Sequence, residues 1–313
     1  MDDVTVIIVS WNCREELRMC LQSLRDTSGS PPVKTVVVDN ASSDGTPEMV
    51  RSEFPTVALH VSEHNLGFAA ANNLAMREAQ TGYVLLLNPD TVVLTPGLGP
   101  LVRFLEAHTK AWAVGPRLLN SDRTPQRTGV RFPSVWNIAV ESFFLDRLFP
   151  NSRVFGRHRE LYLQEDEPRR VDYVQGSCLM IRRELVVNRV GLLDEGYFMY
   201  FEETDWCYRL YHAGGEVWIC PEARVVHRGG GETGHFDERR IVYYHQSLFR
   251  YLRRNATIIS RVFVRVVIVV RSILRMAAWG MVAAAKPAIR AKAVSAIRGY
   301  SRVFLLCFRP ASH

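Results

Sequence analysis

The N-terminal part of the chain alternates short apolar runs with longer segments whose apolar positions recur every three to four residues. The apolar runs predict strands at residues 4–10, 33–39, 57–61 and 83–87 (VTVIIVS, VKTVVVD, VALHV, YVLLL). The periodic segments predict helices at about residues 14–24, 46–53 and 68–79. Strands that are apolar on both sides belong to a parallel sheet covered by helices on both faces. The pattern therefore predicts an α/β fold built from βαβ units.

Polar residues follow these predicted strands, where ligands of open α/β sheets bind. The four ends read Ser10-Trp11-Asn12, Asp39-Asn40, Asn65-Leu66-Gly67 and Asn88-Pro89-Asp90. An aspartate at such an end can accept hydrogen bonds from a nucleobase or ribose, and another can hold a cation that bridges phosphates. Helix capping explains Asp44, which precedes Gly45-Thr46, whereas neither Asp39 nor Asp90 opens a helix directly. Asp39 and Asp90 are therefore the candidates for ligand binding.

Charge divides the chain into two parts. The net charge is +7, yet residues 239–313 hold fifteen Lys or Arg and no Asp or Glu, which leaves residues 1–238 with a net charge of −8. Composition changes at the same point, from sequence containing Gly, Pro and Asp to a run of Arg, Val, Ile and Ala. We therefore predict an α/β domain over residues 1–238 and a basic helical region over residues 239–313.

The basic region has the periodicity of an amphipathic helix. At about 100° per residue, seven arginines from Arg250 to Arg275 fall within roughly a 120° arc of one helix. The longest uncharged apolar run, Met276–Ala285, has ten residues, which is short of the roughly 18 that a spanning helix needs. We expect a helix on an anionic membrane surface. A hairpin packed on the α/β domain and a contact between two copies of the chain are the alternatives, and nucleic acid ranks below them because no nucleic-acid-binding module is recognised.

Cysteine usage and the N-terminus bear on the compartment. The six cysteines are scattered and include no Cys-x-x-Cys pair, which disfavours a zinc site or a disulfide framework. Met1-Asp2-Asp3 leads directly into the first apolar run, without the basic region and cleavage site of a secretory signal. We expect reduced thiols and a location at the cytoplasmic face of a membrane.

Seven segments occur in an order that is typical of one family. They are VSWNCREELRMCLQSL, VVVDNASSDGT, NLGFAAANN, LLLNPDT, QGSCLMIRRE, GLLDEGYFMYFEETDWCYRL and His227-Arg228-Gly229-Gly230-Gly231. Together they resemble glycosyltransferase family 2, and in particular its bacterial rhamnosyltransferase-like branch, over about residues 4–235. The resemblance implies a GT-A fold, a nucleoside-diphosphate sugar donor linked to dTDP or UDP, a divalent metal (Mn²⁺ or Mg²⁺), and inversion at the anomeric carbon.

The resemblance also assigns the metal site. The metal motif of the family is usually Asp-x-Asp. In this chain Asn88 occupies the first position, as is common in the rhamnosyltransferase-like branch. Asp90 is then the carboxylate that holds the cation, which stabilises the leaving diphosphate as a Lewis acid. Similarity points to His227 as an imidazole ligand.

Inversion needs one base on the acceptor side of the sugar. Glu202-Glu203-Thr204-Asp205 supplies candidates at the start of a helix predicted over residues 204–213, although acidic residues also stabilise a helix N-terminus without any chemistry. The resemblance transfers the base role to Glu203, where relatives often carry Asp, and Asp205 remains a competitor. The resemblance further implies two groups of binding residues: Ser10, Asn12, Asp39, Asn65, Gly67 and Asn88 for the nucleotide, and Gly176, Ser177 and Glu202 for the donor sugar and acceptor.

The predicted function is therefore transfer of a sugar, with rhamnose the best match, to a hydroxyl of a lipid-linked or cell-envelope glycan. A catalytically inactive glycan-binding protein at the membrane is one alternative, because Asn88 and Glu203 replace the family's usual acids. A sugar-phosphate nucleotidylyltransferase is another, although no glycine-rich basic loop follows VTVIIVS. Residues 117–170, poor in regular pattern, are either an acceptor-side flap or an ordered insertion.

Overall fold

The computed structural model describes residues 3–27, 32–126, 128–149, 152, 154–155, 166–229 and 237–309. The chain divides into two compact units. Met1–Phe132, Leu161–Phe198 and Glu202–Gly230 form one, called here the sheet unit. Pro133–Glu160, Met199–Phe201 and Gly231–His313 form the other, called here the helical unit. The basic region over residues 239–313 lies wholly in the helical unit, which also takes in residues 133–160.

The sheet unit contains the strands and six of the helices found in the described residues. The strands are β1 Val4–Ser10, β2 Val33–Asp39, β3 Ala58–Val61, β4 Tyr83–Leu87, β5 Thr91–Val93, β6 Ala111–Leu119, β7 Gly129–Val130, β8 Arg169–Val171, β9 Tyr173–Val174, β10 Cys178–Arg182 and β11 Glu216–His227. The helices are α1 Arg14–Asp26, α2 Thr46–Glu53, α3 Phe68–Glu78, α4 Gly99–Ala107, α7 Arg183–Arg189 and α8 Glu202–His212.

Within the described residues, nine strands form one mixed sheet in the order β3-β2-β1-β4-β10-β6-β11-β5, with β8 paired to β11. The pairs β3–β2, β2–β1 and β1–β4 are parallel, which confirms the predicted βαβ units. Strands β6 and β11 are also parallel. Strands β10, β5 and β8 pair antiparallel to their neighbours. Strands β7 and β9 form a separate antiparallel pair.

Alternation along the strands divides the core of this unit between the two faces of the sheet. Val6 and Ile8 of β1 pack in one buried cluster with residues of α1, α2 and α4. Ile7 lies in a second cluster with residues of α3 and α8. Successive side chains of a strand point to opposite faces, so the sheet is covered by helices on both sides, as the sequence predicts.

The carboxyl ends of β1, β2 and β4 lie along one edge of the sheet because these strands are parallel. Strand β10 runs the other way and pairs Cys178 with Leu87, so it begins at the edge where β4 ends. Strand β11 ends beside the start of β5, with His227 opposite Thr91. This edge therefore collects the residues that follow β1, β2, β4 and β11 and those that precede β5 and β10.

The helical unit holds α5 Val135–Ser142, α6 Leu145–Leu148, α9 Glu238–Asn255, α10 Ile258–Ala285 and α11 Arg290–Leu306. A short 3₁₀ turn, Pro287–Ile289, joins α10 to α11. Helix α10 packs on α11 and α5, and α11 also packs on α9. Asp237 and Thr257 cap α9 and α10, because their side chains accept hydrogen bonds from Arg239 N and Ser260 N.

Three features differ from the sequence-based predictions. The arginines from Arg250 to Arg275 do not lie on one helix, because α9 ends at Asn255 and Thr257 caps a new helix. Helix α8 begins at Glu202 and not at Thr204. The segment over residues 117–170 contains β7, α5 and α6, while much of residues 150–165 lies outside the described part of the chain.

Candidate active site

Ser10 and Asp39 end adjacent parallel strands and are paired in register. Both side chains are fully buried. Asp39 accepts a hydrogen bond from Ser10 Oγ at 3.1 Å and another from Ser42 N at 2.8 Å. Asn40 N in turn donates to Ser10 O at 2.8 Å. The carboxylate of Asp39 thus fixes the two strand ends and the loop that follows β2.

The loop after β1 is tied to the loop after β2. Asn12 has a φ of +50°, and its side-chain oxygen accepts a hydrogen bond from Ser43 N at 2.8 Å. Asp44 accepts from Arg14 N, the first residue of α1, and from Thr46 N, the first residue of α2. Asp44 therefore caps two helices, which confirms its predicted structural role.

Asn65 and Gly67 shape the third loop. Asn65 Oδ1 accepts a hydrogen bond from Gly67 N at 2.9 Å, and Asn40 Nδ2 donates to Gly67 O at 3.2 Å. Gly67 has a φ of +80°, and a Cβ there would lie 2.5 Å from the carbonyl oxygen of Phe198. Any larger residue would displace this backbone contact, so the glycine holds the loop against the Phe198 segment.

Asp90 and His227 are brought together by the β5–β11 pairing. His227 Nε2 lies 3.4 Å from Asp90 Oδ1, and the side chains are 12% and 26% exposed. Asp90 Oδ1 itself is buried and accepts no hydrogen bond from the described residues. A Cβ on Gly229 would lie only 1.9 Å from Asp90 Oδ2. Only glycine leaves room for the carboxylate at this point; Gly230 and Gly231 of the same motif lie outside the described residues.

Gln126 sets the tautomer of His227. Gln126 Nε2 donates to Asn120 Oδ1 at 3.0 Å and to the carbonyl of His227 at 3.2 Å, so its side-chain oxygen faces the imidazole. That oxygen lies 2.7 Å from His227 Nδ1. Nδ1 therefore carries the proton and donates to Gln126, and Nε2 presents its lone pair towards Asp90.

A divalent cation fits this pair. A buried carboxylate oxygen without a hydrogen bond and an imidazole nitrogen without a proton are both ligand atoms, and the second ring nitrogen is held as in known metal sites. In the described part of the chain, no cluster of three or more His, Cys, Asp or Glu side chains is placed to hold a metal ion. Asp90 and His227 thus suit a cation that takes its remaining ligands from phosphate oxygens and water.

Gly176 and Ser177 lie directly before β10, beside the end of β4. Asn88 N donates to Ser177 O at 2.9 Å, which joins the Asn88-Pro89-Asp90 turn to this segment. Ser177 Oγ is buried without a partner among the described residues. A Cβ on Gly176 would lie 3.5 Å from Glu203 Cγ, so the Glu203 side chain packs directly on this glycine.

Glu202 and Glu203 form a buried pair of acids at the start of α8. Burial, and after it the neighbouring Glu203, raises the pKa of Glu202 well above the usual range. Burial also raises the pKa of Glu203, although backbone N–H groups, including that of Gly176, oppose the shift. One oxygen of each carboxyl, Oε2, is buried without a partner in the described structure. Burial therefore favours the protonated form of Glu202 most strongly, while the backbone N–H groups favour the carboxylate form of Glu203.

The carboxylate of Asp205 is hydrogen-bonded to other side chains of the sheet unit. It is fully buried, its Oδ2 accepts from Arg209 Nε at 2.9 Å, and its Oδ1 accepts from the Tyr197 hydroxyl at 3.4 Å. Arg209 also donates to the carbonyls of Val190 and Leu192. Asp205 and Arg209 thus anchor the segment before α8.

Two residues of this edge are not among the sequence-based candidates. Trp11 is 50% exposed directly after Ser10, where an aromatic face can stack on a base; its position beside predicted ligand residues was a usable signal. Gln126 carries no comparable signal, because a single glutamine after an apolar strand fits many roles. Only the pairing of β6 with β11 brings it to His227.

The fold and this edge define a class of protein: a GT-A-type glycosyltransferase, in which a mixed α/β sheet presents a carboxylate after β4 and an acid pair at a later helix. The chain belongs to glycosyl transferase family 2, whose family model matches residues 5–188.

Two relatives share most of the chain. An N-acetylglucosaminyl-diphospho-decaprenol L-rhamnosyltransferase of Mycobacterium tuberculosis is 28% identical over 264 residues, which cover 80% of this chain and 84% of the relative. The rhamnosyltransferase WbbL of Escherichia coli K12 is 26% identical over 272 residues, covering 84% and 97%. The chain is thus a rhamnosyltransferase-like member of the family.

A solved structure shares the fold. The mannosyltransferase PcManGT of Pyrobaculum calidifontis, in complex with GDP-Man and Mn²⁺, matches with a TM-score of 0.56 and 18% sequence identity. The match covers 97% of this chain and 86% of that one. The GT-A fold predicted from the sequence is therefore confirmed.

Proposed function

We propose that the protein transfers a sugar, rhamnose, from a nucleoside-diphosphate donor to a hydroxyl of a lipid-linked glycan, with inversion and with help from a divalent cation. The observation that carries this proposal is the Asp90–His227 pair at the edge of the sheet, beside the buried acids of α8. Family membership supports sugar transfer, and the names of the two relatives support rhamnose.

Asp90 and His227 would hold the Mn²⁺ or Mg²⁺. When bound, the cation would neutralise charge on the leaving diphosphate. Asp90 supplies one buried carboxylate oxygen, and Gln126 keeps the lone pair of His227 Nε2 on the same side. Gly229 leaves space for the second oxygen of Asp90.

The proposed donor site lies along the ends of β1 and β2. Ser10, Asp39 and Asn40 hold these ends in place, while Asn12, Asn65, Gly67 and Asn88 line the loops that follow. Trp11 offers an exposed aromatic face for the base of dTDP or UDP. Every one of these residues lies in the sheet unit.

Glu203 is the proposed base. It lies against Gly176, and its Oε2 has no partner among the described residues, so it can accept the proton of an attacking hydroxyl. Asp205 is less suited because Arg209 and the Tyr197 hydroxyl occupy its oxygens. Gly176, Ser177 and Glu202 would border the donor sugar and the acceptor. Because the pKa of Glu203 is raised, turnover should fall with decreasing pH earlier than for an ordinary glutamate.

The acceptor is proposed from the relative whose name specifies a sugar on a diphospho-decaprenol. A lipid-linked acceptor places the enzyme at a membrane surface, and the predicted location is the cytoplasmic face. Helix α10 is long and apolar enough to cross a membrane by length and composition, with a mean hydropathy of 1.8 over its best window. Its four arginines favour a position in the interface over a crossing. Association of two copies of the chain remains a prediction, and nucleic acid is not a proposed partner.

The two alternatives predict different chemistry. A nucleotidylyltransferase would form a nucleotide sugar from a sugar phosphate, and family membership does not favour it. An inactive glycan-binding protein would release no nucleoside diphosphate.

The test is release of nucleoside diphosphate from a panel of sugar nucleotides with Mn²⁺ and a lipid-linked acceptor. dTDP-rhamnose should be the preferred donor. Asp90→Ala should abolish release in a folded protein, and Glu203→Gln should lower turnover by about 10² or more with donor affinity little changed. Metal-dependent turnover by folded Asp90→Ala would contradict the assignment of Asp90.

A further inference from the structure

Helix α10 carries its charged and apolar residues on opposite sides. The arginine row, defined as Arg261, Arg265, Arg271 and Arg275, lies on the side of the helix that holds the buried residues Val264, Ile268 and Ser272. The apolar stripe lies on the other side, and each of its members is at least 41% exposed: Val262, Phe263, Val266, Val270, Ile273 and Leu274. At 100° per residue the centres of the two sides are roughly 180° apart.

The arginine row has no acidic counterpart. None of the ion pairs found among the described residues includes one of the four guanidinium groups, and residues 256–313 contain no acidic residue at all. The Nε atoms of Arg261 and Arg271 are buried without a hydrogen-bond partner in the described structure. A buried guanidinium donor without an acceptor destabilises the fold.

Aromatic faces hold part of the row in place. The guanidinium of Arg275 lies 4.2 Å from the ring centroid of Phe144, and that of Arg265 lies 5.9 Å from that of Phe249. A ring face attracts a cation but accepts little hydrogen bonding, so these rings do not satisfy the N–H groups of the two guanidinium ions. Guanidinium groups fixed in this way are suited to bind phosphate through paired hydrogen bonds.

The depth of an interfacial helix in the membrane decides where the apolar stripe and the arginine row lie. Such a helix sinks about 5–10 Å into the boundary between headgroups and acyl chains, and a helix with its side chains is about 10–12 Å across. The four arginines are partly exposed where α10 packs on its neighbouring helices. With the apolar stripe in the acyl region, their exposed parts therefore lie at the level of the lipid phosphates. Charge and depth thus point to the same class of ligand.

We propose that the arginine row of α10 binds the phosphate groups of membrane lipids while the apolar stripe enters the acyl region. This inference rests on the proposed membrane location and adds the site and the chemical group that is recognised. Phosphate oxygens would supply the acceptors that the four arginines lack in the protein.

The first test uses the intact chain and three kinds of vesicle: neutral phosphatidylcholine, phosphatidylcholine with phosphatidic acid, and phosphatidylcholine with oleate at matched surface charge. Binding should be strongest with phosphatidic acid, in salt high enough to screen diffuse attraction. Equal binding to phosphatidic acid and oleate would overturn phosphate recognition. Binding to none of the vesicles would instead remove the membrane location itself.

The second test uses matched variants. Arg271→Gln with Arg275→Gln should weaken binding to phosphatidic acid vesicles by about 100-fold, from two charge-assisted hydrogen-bonding groups. Arg290→Gln with Arg298→Gln removes the same charge from exposed positions of α11 and should weaken it far less. Equal losses in the two pairs would overturn the inference. Arg271→Lys with Arg275→Lys keeps the charge, and full binding by this pair would show that paired hydrogen bonds are not used.

Two further readouts separate other causes. The row variants should release nucleoside diphosphate from a soluble donor as the unmodified protein does, because no row residue belongs to the sheet unit. Inorganic pyrophosphate at the phosphate concentration of the vesicles should leave the protein bound. Displacement by pyrophosphate would identify a free phosphate compound, and not a lipid, as the ligand of the row.

Discussion

The hydrogen bond between Gln126 and His227 gives the sharpest test of the proposed metal site. Gln126→Leu removes the acceptor of the His227 Nδ1 proton, which now lies 2.7 Å away. The imidazole is only 12% exposed, so water replaces the lost acceptor poorly. The proton is then favoured on Nε2, from which it can donate to Asp90 Oδ1, 3.4 Å away. Both proposed ligand atoms would be consumed by one hydrogen bond.

The expected magnitude follows from this geometry. Loss of the partner that orients a metal-binding histidine costs about 10–100-fold in metal affinity, or about 1.4–2.7 kcal/mol. Calorimetric titration of Mn²⁺ in the presence of a nucleoside diphosphate measures it directly. Gln126→Glu keeps an acceptor at the same point, so it should bind Mn²⁺ more tightly than Gln126→Leu. Unchanged affinity in folded Gln126→Leu would refute the role of the tautomer, and unchanged affinity in His227→Ala would remove His227 from the site.

Two further predictions concern the acids of α8. Asp205→Asn breaks a buried ion pair with Arg209 and should lower the free energy of unfolding by about 3–5 kcal/mol in a denaturant titration. If the variant is instead stable and its turnover falls by the amount expected for Glu203→Gln, Asp205 is the base. Glu202→Gln should raise the melting temperature at neutral and alkaline pH. The raised pKa of Glu202 contributes stability that is fully present below the usual value of 4.5 and is lost as pH rises through the folded-state pKa. Because glutamine avoids this loss, a benefit that persists below pH 4.5 would contradict the shift.

Much of the parallel part of the sheet could be predicted from the sequence. Strands β1, β2 and β4 and helix α2 have the predicted bounds, because each is a compact pattern bordered by polar residues or by Gly and Pro. The strand ends were predicted for the same reason, since the chain order of βαβ units fixes which ends share an edge. Ser10 and Asp39 therefore lie together as expected.

Short strands and long-range partners could not be predicted in the same way. Strand β5 has only three residues and is stabilised by its pairing with the end of β11, which is distant in the sequence. Gln126 reaches His227 through a separation of 101 residues. Neither contact leaves a periodic signal along the chain, because both depend on register between strands and not on local propensity.

The basic region illustrates a related limit. Helical periodicity places the arginines of α10 within one arc, but it does not say whether that arc faces solvent or neighbouring helices. In the structure the arc packs towards α5 and α11, and the uncharged side is exposed. Tertiary packing therefore reversed the usual arrangement of an amphipathic surface helix.

Asn88 changes the charge that the proposed metal site presents to the donor. With Asp90 as its only carboxylate and a neutral His227, a divalent cation would keep one net positive charge for the diphosphate, whereas Asp at position 88 would cancel it. Because like charges repel strongly in a buried site, Asn88 favours binding of a doubly negative donor at a cation held by Asp90. The loss of the family's usual acid at position 88 is thus compatible with catalysis.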